Sequence, residues 1–319
     1  MSDIIVNGMS FAIPLFIIAV GGIYSERSGV TNLALEGFMG AGAFFGAVFT
    51  ALTAGMFAAT SQLPMYLSLF VAMIGGALYA IVHAVLCIKF KANQVISGVV
   101  VNILAMALTD FLTSQINESV LGQSADKFIL NVSARLTFEP LASIPVIGGF
   151  FTNVYPFEFI IIAVAVVAWY VMYKTRYGMR LRACGDNPYA VDAAGCNVAR
   201  TQFTAVMVSG ALSGLGGMCF AYSVFGNYST SIYAGYGYLA IAALIFGNWK
   251  IPATLGACLL FGFARAVGYS LIQYLSLPGT YSDLIMTLPY VLTLLLLVFF
   301  SKNNRAPRAL GEIYDKGKR

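Results

Sequence analysis

The sequence predicts an all-α fold: a polytopic transmembrane helical bundle of about nine spans, N-terminus outside and C-terminus cytosolic. Three observations predict it. Hydrophobic residues make up 59% of the 319 positions and charged residues only 10%, against roughly 45–50% and about 25% in soluble domains. The apolar residues fall into runs of about twenty, the length a helix needs to cross roughly 30 Å of hydrocarbon. Lys and Arg, finally, gather in alternate connections between those runs, as positive-inside sorting requires.

The runs cover 4–24, 30–54, 66–90, 93–115, 157–173, 200–222, 229–247, 251–274 and 283–300. Residues 1–8 carry no Lys or Arg and the first run continues to about Gly22, so it reads as a retained helix and not as a cleaved signal with a basic head. Alternation places Arg27, Lys89, Lys91, the basic stretch from Lys174 to Arg182, Lys250 and the basic tail 301–319 on the cytosolic side, and 116–156 outside. The net charge of +5 is thereby absorbed as membrane anchoring, and no basic patch interleaved with aromatics suggests nucleic acid. The seventh run is the weakest, because only about eleven clearly apolar residues, Gly237 to Gly247, precede Asn248; such a length also suits a broken or re-entrant helix, but parity favours a crossing. The 116–156 segment is far longer than an ordinary connection, and its mixed texture suggests an ordered element, either a passive lid or a docking surface. The 32 glycines fit close helix approach in lipid. The five cysteines have no metal-ligand spacing and read as small packing residues.

Between the fifth and sixth runs, residues 174–199 are too polar to span and too patterned for slack linker. Asn187 is a good N-cap, Pro188 suits the first helical position, and Gly195 suits a left-handed stop. That predicts a helix of about two turns over 188–194, too short to be stable alone. Ala190, Ala193 and Ala194 give it a smooth face for a partner surface, although an ordinary helical connection has the same spacing.

Here the chain resembles a family. Thr175-Arg-Tyr-Gly178, Arg182-Ala-Cys-Gly185, Asn187-Pro188 and Ala193-Ala-Gly195 look like the cytosolic coupling loop of ABC importer permeases of the branched-chain amino acid, ribose and nucleoside group. Ser25-Glu-Arg-Ser-Gly-Val-Thr-Asn-Leu-Ala-Leu-Glu-Gly37, Asn93-Gln-Val-Ile-Ser-Gly98, Ser209-Gly-Ala-Leu-Ser-Gly-Leu-Gly-Gly217 and Gly235-Tyr-Gly-Tyr-Leu-Ala-Ile-Ala-Ala-Leu-Ile-Phe-Gly-Asn-Trp249 follow in the same order, over nearly the whole chain. The Gly-Val-x-Asn-Leu-x-Leu-Glu-Gly form and the Phe-Gly-Asn-Trp ending look most like the shorter permease of nucleoside importers. The resemblance implies a permease domain over 1–300 in a bacterial plasma membrane. Its implied partners are a second homologous permease, a cytosolic ATPase and an extracytoplasmic binding lipoprotein. Gly178, Arg182, Gly185, Asn187, Pro188, Ala193, Ala194 and Gly195 would couple to the ATPase. With no Gly-x-x-x-x-Gly-Lys-Ser/Thr phosphate loop, ATP and Mg²⁺ are expected on that separate subunit, and the chain is expected to be no enzyme and to carry no cofactor or metal.

A solute path is sought among intramembrane polar groups, which face the bundle interior or a wet cavity. Glu36 lies near the start of the second run with Asn32 four residues earlier, and so on the same helical face. The pair either lines the path or stitches the first span to the second. Asn102 in the fourth run and Arg265 in the eighth are similar candidates, and His83 reads as an interhelical bond. Tyr228, Tyr233, Tyr236 and Tyr238 could stack on a base, Tyr238 above all, but Tyr is also common at membrane interfaces. Gly29-Val-Thr-Asn-Leu-Ala faintly echoes Gly235-Tyr-Gly-Tyr-Leu-Ala in the opposite direction, as inverted repeats would. Two other readings remain: the same machine for a ribose-like sugar or branched-chain amino acid, or an ion-coupled carrier relaying through Glu36, Asp110 and His83. A membrane enzyme would need a clustered catalytic set, and none is apparent.

Overall fold

The computed structural model describes residues 2–53, 55–57, 61–130, 135–142, 151–230, 235–275, 287–288, 290–291, 295 and 305–317. Helices dominate in the order α1 (Ser2–Arg27), α2 (Leu35–Thr53), α3 (Leu63–Ala84), α4 (Gln94–Ser119), a one-turn α5 (Glu139–Ala142), α6 (Pro156–Lys174), α7 (Arg176–Asp186), α8 (Pro188–Ala193), α9 (Val198–Phe220), α10 (Tyr236–Phe246) and α11 (Ile251–Tyr274). Single π-helical turns extend α3 through Lys89 and α9 through Phe225. Among the described residues, seven helices are long and apolar enough to cross a bilayer: α1, α2, α3, α4, α6, α9 and α11. The ninth expected span, 283–300, lies almost wholly outside the described residues, as does Tyr233.

Local chemistry sets the starts. Asn93 accepts from the backbone N–H groups of Val95 and Ile96, and Asn197 from that of Arg200, so short amides satisfy donors that the first turns of α4 and α9 leave open. Pro156 opens α6, where its missing donor costs nothing.

Two expectations change. The second run begins as a helix only at Leu35, because 28–34 form a turn bearing Gly29 at φ +95°. The seventh is an 11-residue helix, α10, about 16 Å long and half what a crossing needs. Its lead-in is extended: β2 (Asn227–Tyr228) pairs antiparallel with β1 (Phe128–Ile129), so the 116–156 segment is partly ordered against the bundle.

The core lies where α1, α2, α3 and α9 meet, and it is built on small residues. A Cβ on Gly42 would collide with the backbone of Gly214, and one on Gly76 with that of Gly210. Such close approach is how membrane helices gain packing energy in a solvent as apolar as themselves. Cys87, Cys184, Cys219 and Cys258 are buried free thiols.

The basic connections meet at one end of the bundle. The Ala309 N–H donates to the Gly185 carbonyl at 2.8 Å, that of Gly311 to Gly29 at 3.0 Å and that of Arg305 to Asn248 Oδ1 at 2.8 Å. Lys91 pairs with Asp315 at 2.7 Å. The α1–α2, α3–α4, α7–α8 and α10–α11 connections therefore share a face with the described part of the tail.

Candidate functional site

Irregular backbone at membrane depth survives only when its polar groups find partners inside the protein. The 28–34 turn meets that demand residue by residue. Gln202 Nε2 donates to the Ser28 carbonyl, Ser25 Oγ to that of Val30, and Asn102 Nδ2 to that of Leu33 at 2.7 Å. Gln94 Oε1 accepts from the Thr31 N–H at 2.6 Å and Asn32 Oδ1 from that of Ala34 at 3.0 Å. His83 joins Ser97 Oγ at 2.9 Å and the Thr31 carbonyl at 3.4 Å, an interhelical bond of the kind the sequence suggested. Neither Gln94 nor Gln202 was picked out as a site residue, since a lone amide carries no signal until the backbone it serves is known.

Two helix N-termini meet at this buried turn. Asn102 is the ninth residue of the 26-residue α4, about 12 Å in from its basic-end start. Its side chain spans the gap: Oδ1 accepts from the Gly37 N–H at 2.8 Å, while Nδ2 also reaches Tyr238 Oη at 3.2 Å. From this depth α2 runs away from the basic end and α10 runs back toward it. Glu36, in the first turn of α2, accepts from the Gly235 N–H at 2.9 Å with Oε2, and the backbone of Gly237 and Tyr238 turns toward the same carboxylate. One carboxyl group therefore sits at the N-terminal ends of two opposed helices. Gly235 takes φ +90°, and a Cβ on Gly237 would strike the Glu36 backbone, so this junction is built for glycine. Glu36, Gly37, Asn102, Thr230 and Tyr238, with Ile103, Ala105 and Met106, line a cavity of about 110 Å³. Thr230 Oγ1 donates to Asp110 Oδ1 at 2.9 Å just above it.

Three of the four expected path residues, Glu36, Asn102 and Tyr238, are thus brought together. Asn32 is not among them. It lies ahead of α2, so it shares no helix face with Glu36, and its amide is engaged by Ser209 Oγ at 2.9 Å and by Ala34. Its geometry matches the alternative of a brace, although it clamps α9 instead of α1. Arg265 donates to Tyr236 Oη at 2.9 Å and lies over the rings of Phe11, Tyr236 and Tyr269. Its charge is held by aromatic faces away from the cavity lining. The cavity presents a carboxylate, an amide, a hydroxyl and a phenol, a set that can exchange hydrogen bonds with an uncharged polar solute. It is smaller than the roughly 300–1,000 Å³ of sites that enclose a whole small molecule.

The 174–199 hairpin forms a second surface, at the basic end. Asn187 Oδ1 accepts from the Ala190 N–H at 3.0 Å and Pro188 opens α8. The Cys196 N–H bonds the Val191 carbonyl and the Gly195 N–H that of Asp192, with Gly195 at φ +78°, a Schellman stop. The helix ends at Ala193, one residue earlier than expected. Pro188 and Val191 are buried, whereas Ala190, Ala193, Ala194 and Gly195 face outward, and a Cβ at Gly195 would meet open space. Gly178 and Gly185 have inward duties: a Cβ there would strike the Met172 or the Arg27 carbonyl. Arg182 folds back too, its Nε on the Gly178 carbonyl at 3.3 Å and its guanidinium over Tyr173. Of the eight expected coupling residues, the outward surface holds Asn187, Ala193, Ala194 and Gly195, while Gly178, Arg182, Gly185 and Pro188 build the hairpin beneath it.

The quoted motifs also touch one another. Trp249 Nε1 donates to Glu26 Oε2, and Arg27 Nε to the Trp249 carbonyl at 3.1 Å. Among the described residues, no group of His, Cys, Asp or Glu could hold a metal ion.

Residues 4–299 match the sequence profile of a family described as branched-chain amino acid transport system / permease component. The chain is 38% identical to the guanosine ABC transporter permease protein NupQ of Bacillus subtilis, covering 100% of this chain and 98% of that one. It is also 38% identical to the nucleoside ABC transporter permease protein NupC of Lactococcus lactis, covering 99% and 97%. The guanosine ABC transporter permease protein NupP of Bacillus subtilis is 28% identical over 75% of this chain and 66% of its own length. No solved structure matches the chain.

Proposed function

This chain belongs to the branched-chain amino acid transport system / permease component family, and from that membership we propose that it is a transmembrane permease subunit of an ATP-driven importer that carries nucleosides. One observation carries the substrate class: end-to-end similarity, at 38% identity, to two permeases named for guanosine or nucleosides. The mid-depth cavity supports it chemically. A nucleoside is neutral, rich in hydroxyl and amide groups and planar at its base. Asn102 and Glu36 offer hydrogen-bond partners, and the half-exposed Tyr238 an aromatic face.

The remaining machinery is inferred with it. The basic end faces the cytosol of a bacterial cell, α8 docks its Ala190, Ala193 and Ala194 face on a separate ATPase that holds ATP and Mg²⁺, and an extracytoplasmic binding protein delivers the solute. Two Bacillus subtilis proteins share the guanosine permease name, and this chain is 38% identical to one and 28% to the other, which supports pairing with a second, different permease.

The test is uptake by the complete complex in proteoliposomes, with labelled guanosine, cytidine, ribose and leucine compared. Nucleoside uptake that disappears with a hydrolysis-dead ATPase is expected. Uptake of ribose or leucine alone moves the substrate to that class, and nucleoside uptake that persists without hydrolysis but collapses with the proton gradient makes the chain an ion-coupled carrier.

A further inference from the structure

The hairpin that carries α8 has a small core of its own, Cys184, Val191 and Val198, separate from the main bundle core. A six-residue helix cannot hold itself, and this one is covered by the chain's own tail. Tyr314 packs against that small core, and its ring lies 5.3 Å from that of Tyr189 on α8. Lys316 pairs with Asp192 of α8 at 3.6 Å, and its neighbour Asp315 pairs with Lys91 in the α3–α4 connection. Upstream, Pro307 and Ala309 are buried, and the Ala309 and Gly311 N–H groups bond the Gly185 and Gly29 carbonyls. Gly311, at φ +81°, makes the bend that aims at Gly29.

Gly29 opens the buried turn whose far end places Glu36 and Gly37 in the mid-depth cavity. A line of bonded elements therefore runs from α8 through 309–316 to the 28–34 turn. Under the strap lies a cavity of about 190 Å³, walled by Cys87, Ile88, Gln94 and Gln202 on one side and Glu312–Lys316 on the other, so the strap has space to move over the α3–α4 connection. Coupling through a protein can be carried by a bonded element whose position both ends bias.

We propose that residues 305–316 are a transmission strap: they carry the displacement of α8 to the 28–34 turn, and so to the Glu36 junction. This rests on the reading of α8 as the ATPase-docking helix and gives the tail a mechanical role in the same machine.

The experiment uses the complete complex in proteoliposomes, with the permease in a cysteine-free background and a spin label at exposed Ile103, beside the mid-depth cavity. The signal is followed on adding ATP and Mg²⁺, which needs no assumption about the solute, while co-purification of the ATPase reports docking. A chain ending after Arg308 should keep its ATPase and go on hydrolysing, but lose the ATP-dependent change at Ile103. In full-length chains, Lys316→Glu and Asp192→Lys should each weaken that change by roughly two- to fivefold, the reach of an exposed ion pair, and the double swap should restore it. An Ile103 response that survives truncation overturns the strap, as does a charge swap without rescue; the swap decides the matter if the short chain fails to fold. Failure of the nucleoside reading would appear separately, as absent nucleoside uptake by the unlabelled wild-type complex while the Ile103-labelled full-length complex still responds.

Discussion

Single residues here do one of two jobs, serving buried backbone or lining space, and the distinction decides what sequence alone could reveal. Asn187, Pro188 and Gly195 were legible because caps and stops act on neighbours within five positions. Asn32 was misplaced because its face depended on a helix that starts three residues later, and its partner Ser209 lies 177 positions away. Glu36 and Asn102 were recognisable as costly polar groups in lipid, but that they share a cavity is tertiary information. The cysteines give a residue-scale test. Burial raises the Cys184 thiol from its ordinary 9.0 to about 11, whereas Cys196 is only half-buried. At pH 8 a maleimide is therefore expected to modify Cys196 and spare Cys184, as read by mass spectrometry. Because the folded state favours the neutral thiol, the sign is fixed: Cys184 sets no penalty below pH 9, and above it the unfolded chain gains by ionising, so the hairpin loosens as pH rises toward 11. Prompt modification of Cys184 at pH 8 would show that the hairpin core is open.

At the scale of elements, the sequence located all the long apolar helices among the described residues, since an uninterrupted run of the right length has one stable form in lipid. It missed breaks. A turn at 28–34 and a half-length α10 read as apolar run because their residues are indeed buried; only the tally of backbone partners separates them from spans. Helix α8 is the element whose surface is most exposed to test. Its outward alanines leave room for a closely fitted partner, and overpacking a tight contact costs about 1–3 kcal/mol. Ala193→Trp is expected to leave the permease folded, because Ala193 is exposed, and to cut transport by the assembled complex, with ATP hydrolysis lost or running uncoupled. Transport at the wild-type level and normal abundance would return α8 to a plain connection.

For the whole molecule, the N-termini of α2 and the half-length α10 meet inside the bundle while the basic connections and the tail close one end. Transporters commonly bind solute where helix ends meet inside the bundle, and the start of α2 meets that of the half-length α10 without any strong internal repeat in sequence. Orientation follows from charge: accessible cysteines placed singly at positions 126 and 180 of a cysteine-free chain should label from outside and inside respectively. Equal labelling of both from outside intact cells would refute the assignment of the basic end to the cytosol. The central claim is that the Glu36 junction is the solute passage, and Glu36→Gln tests it most directly, since it keeps the shape and removes the charge shared by two helix ends. A helix-terminus charge is worth up to about 2 kcal/mol when partly buried, so guanosine uptake by the complete complex should fall by roughly five- to thirtyfold at unchanged abundance. Uptake equal to wild type, with the complex assembled in normal amount, would contradict the account and leave Glu36 as a brace between α2 and α10.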